Sequence, residues 1–263
     1  MTRMAEARPL AGMHAVVTGG GRGIGRAIAG HLAALGASLT LLGRDRARLY
    51  ATVQALGNAA NCEAQACDVR DEHSVQAAFE AIARAGHQVA ILVNNAGRAA
   101  SARLSETDAA LWQDLMAVNL TGVYHCTRAA LPALLDAPAG RVVNVASTAG
   151  LTGYPYVAAY CAAKHGVIGF TRAMALELAS TRVTVNAVCP GYTETDLVRD
   201  AIANIVERTG KSEADARAAL AARNPQRRLI QPDEVARVVG WLCLPQSHSI
   251  NGAALPVAGG EVT

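Results

Sequence analysis

Tyr160 and Lys164 stand four residues apart, and Ser147 lies upstream of them beyond a segment rich in glycine, proline and tyrosine. Four residues on a helix share one face, so this phenol and this ammonium would be neighbours. A cation within about 4–6 Å of a tyrosine favours the phenolate and moves its pKa down from about 10. A hydroxyl from Ser147, at the end of an apparent strand, could join them. The same spacing arises by chance on many helices, so the rest of the chain has to decide. One compositional fact helps. Of 24 basic residues only Lys164 and Lys211 are lysines. An ammonium is a compact charge with three donors, whereas a guanidinium spreads its charge over a plane and cannot give it up.

The elements that must position these groups come from a chain of 263 residues with half of them apolar and a net charge of +3. That length suits one large α/β domain, residues 1–263, with a sizeable core. Acids and bases are interspersed too evenly for a nucleic-acid or membrane-surface footprint, and no apolar run approaches the roughly 18 residues of a membrane span. The opening MTRMAEARPL has no apolar core of a signal sequence; residues 1–10 read as a short disordered lead-in. Six scattered cysteines without a CxxC pair suit reduced thiols in a cytoplasmic protein. The histidines show no metal-ligand spacing, so no metal is expected.

HAVVTGG (14–20) is a short apolar run ending in glycines, and a helical pattern follows from Ile24. Strand, glycine turn and helix, with Gly19, Gly21, Gly23 and Gly25 in the turn, let a backbone approach a pyrophosphate at a helix N-terminus. The next strand, 38–45, ends in Gly43 and Arg44 where an acid would bind the ribose hydroxyls of NAD. Arg44, with Arg22 from the turn, favours the 2′-phosphate of NADP. Strands at 63–67, 89–93, 141–147, 183–195 and 253–257 alternate with helices at 46–56, 74–85, 108–135, 158–180 and 232–244. This alternation predicts a Rossmann-type, doubly wound parallel sheet with helices on both faces.

NNAG (94–97) lies beyond the fourth strand, where ligands bind in such folds. Asp68 could meet an adenine amine there, or be an ordinary turn acid. Asn119 sits inside an apolar helix, where it competes for backbone hydrogen bonds, so it marks function or a kink. Pro132 should bend or end the same helix. The stretch from about 193 to 228 is more charged than its surroundings and reads as a lid. Arg217, Arg223, Arg227 and Arg228 on it could meet phosphates of a coenzyme A or phosphopantetheine arm, or be solvated; Arg98 and Arg103 share that ambiguity. Tyr154 and Tyr156, just before the catalytic helix, would line a substrate pocket.

From about His14 to its C-terminus the chain resembles the short-chain dehydrogenase/reductase family. The matching residues are TGGGRGIG at 18–25, NNAG at 94–97, Asn119, Ser147, YxxxK at 160–164 and Pro190-Gly191. The resemblance implies that Tyr160 exchanges a proton with a carbonyl oxygen as a nicotinamide cofactor exchanges hydride with its carbon. Lys164 would lower the phenol pKa and hold the nicotinamide ribose. Ser147 would bind the substrate oxygen, and Asn119 would fix a water in a relay to Lys164. Cofactor contacts would come from the turn with Ile24, from Asp68 and Val69, from Asn95, Ala96 and Gly97, and from Pro190, Gly191, Thr193 and Thr195. Thr193 stands where Val or Ile is usual, and Ala258 where many members have Asp. NADP(H) is favoured over NAD(H), and a homotetramer built on the helices around 108–135 and 158–180 is implied. The leading expectation is reduction of a 3-oxoacyl-CoA or acyl-carrier thioester. The alternatives are a dehydrogenase of a free secondary alcohol or hydroxy acid such as 3-hydroxybutyrate, and a silent NADP(H)-binding sensor.

Overall fold

The computed structural model describes residues 8–57 and 61–262. Seven strands form one parallel sheet in the order β3-β2-β1-β4-β5-β6-β7. They are β1 (His14–Thr18), β2 (Ser38–Gly43), β3 (Cys62–Ala66), β4 (Val89–Asn94), β5 (Gly140–Val145), β6 (Val183–Pro190) and β7 (Ala254–Val257). The central strands are buried on both faces, which is why they read as mostly apolar runs in spite of buried Asn94, Arg141, Asn144 and Asn186.

The pleat divides their side chains between two cores. Val17, Leu39, Leu41, Ile91, Val93 and Val143 pack under α1 (Gly23–Ala34), α2 (Arg46–Leu56) and α9 (Pro232–Cys243). Val16, Leu42, Leu92, Val142 and Val185 pack under α3 (Glu72–Arg84), α5 (Gly122–Asp136) and α6 (Ala158–Glu177). The order reverses between β1 and β4, so the crevice at their carboxyl ends is the ligand position of an open α/β sheet. The doubly wound expectation is met.

Several local expectations are corrected. The lead-in reaches less far than residue 10: Leu10 is fully buried and its N–H donates to the Leu35 carbonyl. β5 stops at Val145, because Ser147 caps a 3₁₀ turn over Thr148–Gly150 and so cannot continue the ladder. Pro132 does not end its helix; α5 runs through it to Asp136, since the proline costs the last turns only one backbone donor. The lid is α7 (Asp196–Thr209) and α8 (Glu213–Ala221), which pack chiefly on each other. Val198, Ile202, Ala216, Leu220 and Leu229 give them a small core of their own, and a Thr193–Ile230 bridge closes the segment.

Candidate active site

The glycine turn after β1 is braced from the side. The Thr18 hydroxyl accepts the N–H groups of Asn95 and Ala96, each at 2.9 Å, and Asn95 Nδ2 donates to the Thr18 carbonyl at 2.9 Å. Asn95 therefore uses its amide to shape the turn. Gly25 packs so closely on the Gly19 carbonyl that a Cβ there would overlap it. The N-terminus of α1 is left with Arg22 as cap and no side-chain cap bond. Lid helix α7 begins beside it: Thr195 Cγ2 would lie 3.1 Å from a Cβ on Gly23. Two helix N-termini thus converge on one turn, a donor set that fits the pyrophosphate of a nicotinamide dinucleotide.

Asn119 is completely buried in a π-turn, Ala117–Thr121, between α4 (Ala109–Met116) and α5. Its Nδ2 donates to the Leu115 carbonyl at 2.9 Å and to the Arg98 carbonyl at 2.8 Å, and its Oδ1 accepts from the Arg98 N–H at 3.3 Å. The side chain takes the place of a backbone donor and ties the helix to the segment after NNAG. Gly97 lies between the site groups. A Cβ on it would sit 2.8 Å from Asn119 Oδ1 and 3.7 Å from Lys164 Nζ.

The end of β5 and the N-terminal half of α6 bring together the three groups expected to handle a proton, Ser147, Tyr160 and Lys164. Lys164 is only 4 % exposed and its Nζ donates to the Val145 carbonyl at 2.8 Å. That ammonium stands over the Tyr160 ring, 5.7 Å from the centroid. The Ser147 hydroxyl accepts from the Ala149 N–H at 3.1 Å and also faces the Tyr160 phenol. Burial lowers the Lys164 pKa to about 8. Burial likewise pushes the Tyr160 phenol up to about 12, with the Ser147 hydroxyl opposing it. The expected depression of the phenol pKa is thus reversed in the protein alone. Desolvation outweighs an ammonium that lies over the ring face and not beside the oxygen.

Apart from Arg44, the polar side chains around the expected adenosine end are already paired. Asp68 accepts from the Arg70 backbone N–H and grips its guanidinium through both oxygens, the shorter contact 2.6 Å. These bonds make Asp68 a turn acid; its neighbour Val69 is buried, with its carbonyl bonded to His125. Arg44 is exposed at the end of β2, near enough to Asp68 to help hold its carboxyl low. The next residue, Asp45, caps α2 and pairs with Arg48. Arg22 pairs with Asp196 at 3.5 Å. The Thr193 hydroxyl donates to the Gly191 carbonyl at 2.9 Å and its own carbonyl accepts from the Thr195 hydroxyl at 3.1 Å, which leaves its backbone N–H for any other contact.

On the far side, Tyr154 borders the cleft but Tyr156 does not fit the expected wall. Tyr156 is 61 % exposed and held at positive φ, with its carbonyl accepting from Ala102. Tyr192 takes that place, edge-on to Tyr154 with ring centroids 6.4 Å apart. Of the lid bases, Arg217 pairs with Glu194 and Arg228 with Glu234, and Arg98 after NNAG pairs with Asp114. Arg103 caps a short 3₁₀ turn. Arg223 lies over the Tyr154 ring at 5.5 Å, and Arg227 is exposed. Sequence reasoning missed Tyr192, which follows Pro190-Gly191 directly, and Glu261, which has no motif. A separate recess of about 470 Å³, lined by Arg26, His31, Asp233 and Arg237, lies between α1, α2 and α9, away from these groups.

The family model of short chain dehydrogenases matches residues 13–205. The chain belongs to this family. One relative of this short chain dehydrogenase is a Streptomyces coelicolor protein named as a ketoacyl reductase. It is 40 % identical over 252 residues, covering 94 % of this chain and 95 % of the relative. A 3-oxoacyl-(acyl-carrier-protein) reductase of Vibrio cholerae is 38 % identical over 251 residues, covering 95 % and 98 %. The crystal structure of a tryptophan-substituted variant of actinorhodin polyketide ketoreductase with NADPH superposes with a TM-score of 0.91 at 38 % identity, covering 95 % of this chain and 97 % of that one. The family membership makes the protein an oxidoreductase of keto and hydroxy groups that uses NAD or NADP. Among the described residues no helix is long and apolar enough to cross a membrane, and no group of three or more metal-ligating side chains occurs.

Proposed function

We propose that this protein is an NADPH-dependent reductase of the 3-carbonyl of an acyl thioester. The observation that carries the reaction class is the meeting of Ser147, Tyr160 and Lys164 at the end of β5, beside the glycine cradle. The cofactor, when bound, supplies the hydride. A phenol held protonated by burial is ready to donate when a carbonyl oxygen gains charge. Ser147 offers that oxygen a hydroxyl donor, and Lys164 holds positive charge over the ring, where it helps the phenolate that remains. Asn119 Oδ1 and Lys164 Nζ both border Gly97, so a water in a proton relay between them is part of the reading. In the same reading Val69, Ala96, Gly97, Pro190, Gly191, Thr193 and Thr195 contact the cofactor, while Asn95 shapes the glycine turn and Arg70 holds Asp68 as a turn acid.

The thioester class is supported by the two reductases named above and by the separate lid. Acetoacetyl-CoA, acetoacetate and simple ketones assayed with NADPH test it; a preference for the free ketones or for acetoacetate overturns it. NADPH over NADH is supported by Gly43-Arg44 and by the commitment of Asp45 to a helix cap. Arg44→Ala is expected to raise the Kd for NADPH about tenfold or more and to leave that for NADH near its starting value. Equal losses, read by fluorescence titration, would contradict the phosphate role. A homotetramer belongs to the same reading, supported by exposed Trp112 and Tyr124 on α4 and α5 and Leu176 on α6, and a cytoplasmic location is supported by the six free cysteines.

A further inference from the structure

Glu261 reaches the cleft from beyond β7, next to the last described residue. Its Oε1 accepts from the Tyr154 hydroxyl at 2.6 Å. Its Oε2 is shut off from solvent and has no hydrogen-bond partner among the described residues. Glycine at 191 leaves the room for this oxygen: a Cβ there would lie 2.9 Å from Oε2. Tyr154 and Tyr192 flank the carboxylate, and Tyr192 is also close enough to Tyr160 to act on its ionisation. The nearby Arg223 guanidinium sits over the Tyr154 ring and forms no ion pair with Glu261. A sealed acceptor with no donor is costly, and a site that hydrogen-bonds a substrate hydroxyl discriminates strongly against analogues lacking it.

We propose that Glu261 Oε2 is a substrate-binding acceptor for a hydroxyl carried on the acyl chain away from the reacting carbonyl. The inference rests on the carbonyl-reduction reading above. Tyr192 packs against the lid core and Arg223 stands over the Tyr154 ring; binding there requires an outward movement of the lid that exposes Oε2 to the ligand. The bodies of Tyr154 and Tyr192 bury the chain between the two oxygens, and the carboxylate repels substrates that end in a carboxylate of their own.

The test compares kcat/KM for the N-acetylcysteamine thioesters of 5-hydroxy-3-oxohexanoate and 3-oxohexanoate. The wild-type protein is expected to favour the hydroxylated thioester by about tenfold or more, as a hydrogen bond to a charged acceptor gives. Glu261→Leu should bring the ratio near one, and Glu261→Gln, which keeps an amide oxygen, should restore part of it. A wild-type ratio near one overturns the proposal without any variant, as does a ratio unchanged in Glu261→Leu. 4-Hydroxypentan-2-one and pentan-2-one run alongside. If only these ketones are reduced, the thioester reading fails, and the same ratio on the ketone pair decides the role of Glu261.

Discussion

Tyr160→Phe is expected to lower kcat for carbonyl reduction by about 10²–10⁴-fold, the usual contribution of a positioned proton donor. The change removes one oxygen from a partly open position and leaves the ring under Lys164, so the Kd for NADPH should move less than about threefold. The phenol raised to about 12 gives the loss a direction. Reduction needs the protonated phenol, which is present throughout the neutral range. Alcohol oxidation needs the phenolate, so its rate in the wild-type protein should climb with pH while reduction does not. Stopped assays in both directions, with a fluorescence titration of NADPH, check both parts. A variant that keeps a tenth of the wild-type kcat would remove Tyr160 from the chemistry.

Lys164→Met should be nearly as damaging to turnover and yet raise the melting temperature of the cofactor-free protein at pH 7. Burial lowers the folded-state pKa of Lys164 from 10.5 to about 8. The unfolded chain therefore binds more protons between about 8 and 10.5, so stability rises with pH across that window. Below it the buried ammonium carries its full cost. Methionine removes the cost but leaves the Val145 carbonyl without its donor, and the two together leave a gain of about 1–3 kcal/mol at pH 7. For a chain of this size that is a few degrees. The gain should shrink as pH rises from about 8 to 10.5 and level off above that window. A variant that melts lower at pH 7 would show that the Lys164–Val145 bond outweighs the desolvation.

The sheet was legible because its buried strands are mostly apolar runs, and the lid because its composition changes near 193. Asn119 was legible as a broken rule, and the break proved to be a π-turn from which the side chain itself satisfies the Leu115 carbonyl of α4. The end of β5 was misread because an apolar run does not show where a serine stops extending the ladder and starts capping a turn. The direction of the Tyr160 shift was misread for a different reason. Spacing gives which groups meet, but desolvation depends on everything packed around them. Glu261 and Tyr192 were out of reach for a third reason: their proximity to Tyr154 exists only after the chain has closed the sheet with β7. The same holds for Asn94, which crosses to Thr127 and Asn144 in the core between β4 and β5.

The lid's private core has a bearing on how such a protein can change. Cradle and proton-handling groups are fixed by strand register, so a substitution there is felt by the whole sheet. Past the start of α7, where Thr195 and Asp196 adjoin the glycine turn, the residues of α7 and α8 answer mainly to each other. That segment can drift in sequence, acquire a new acyl chain to accommodate, or be exchanged for a relative's, while hydride chemistry at the sheet edge goes on as before. Novelty in this molecule is cheapest where its core is smallest.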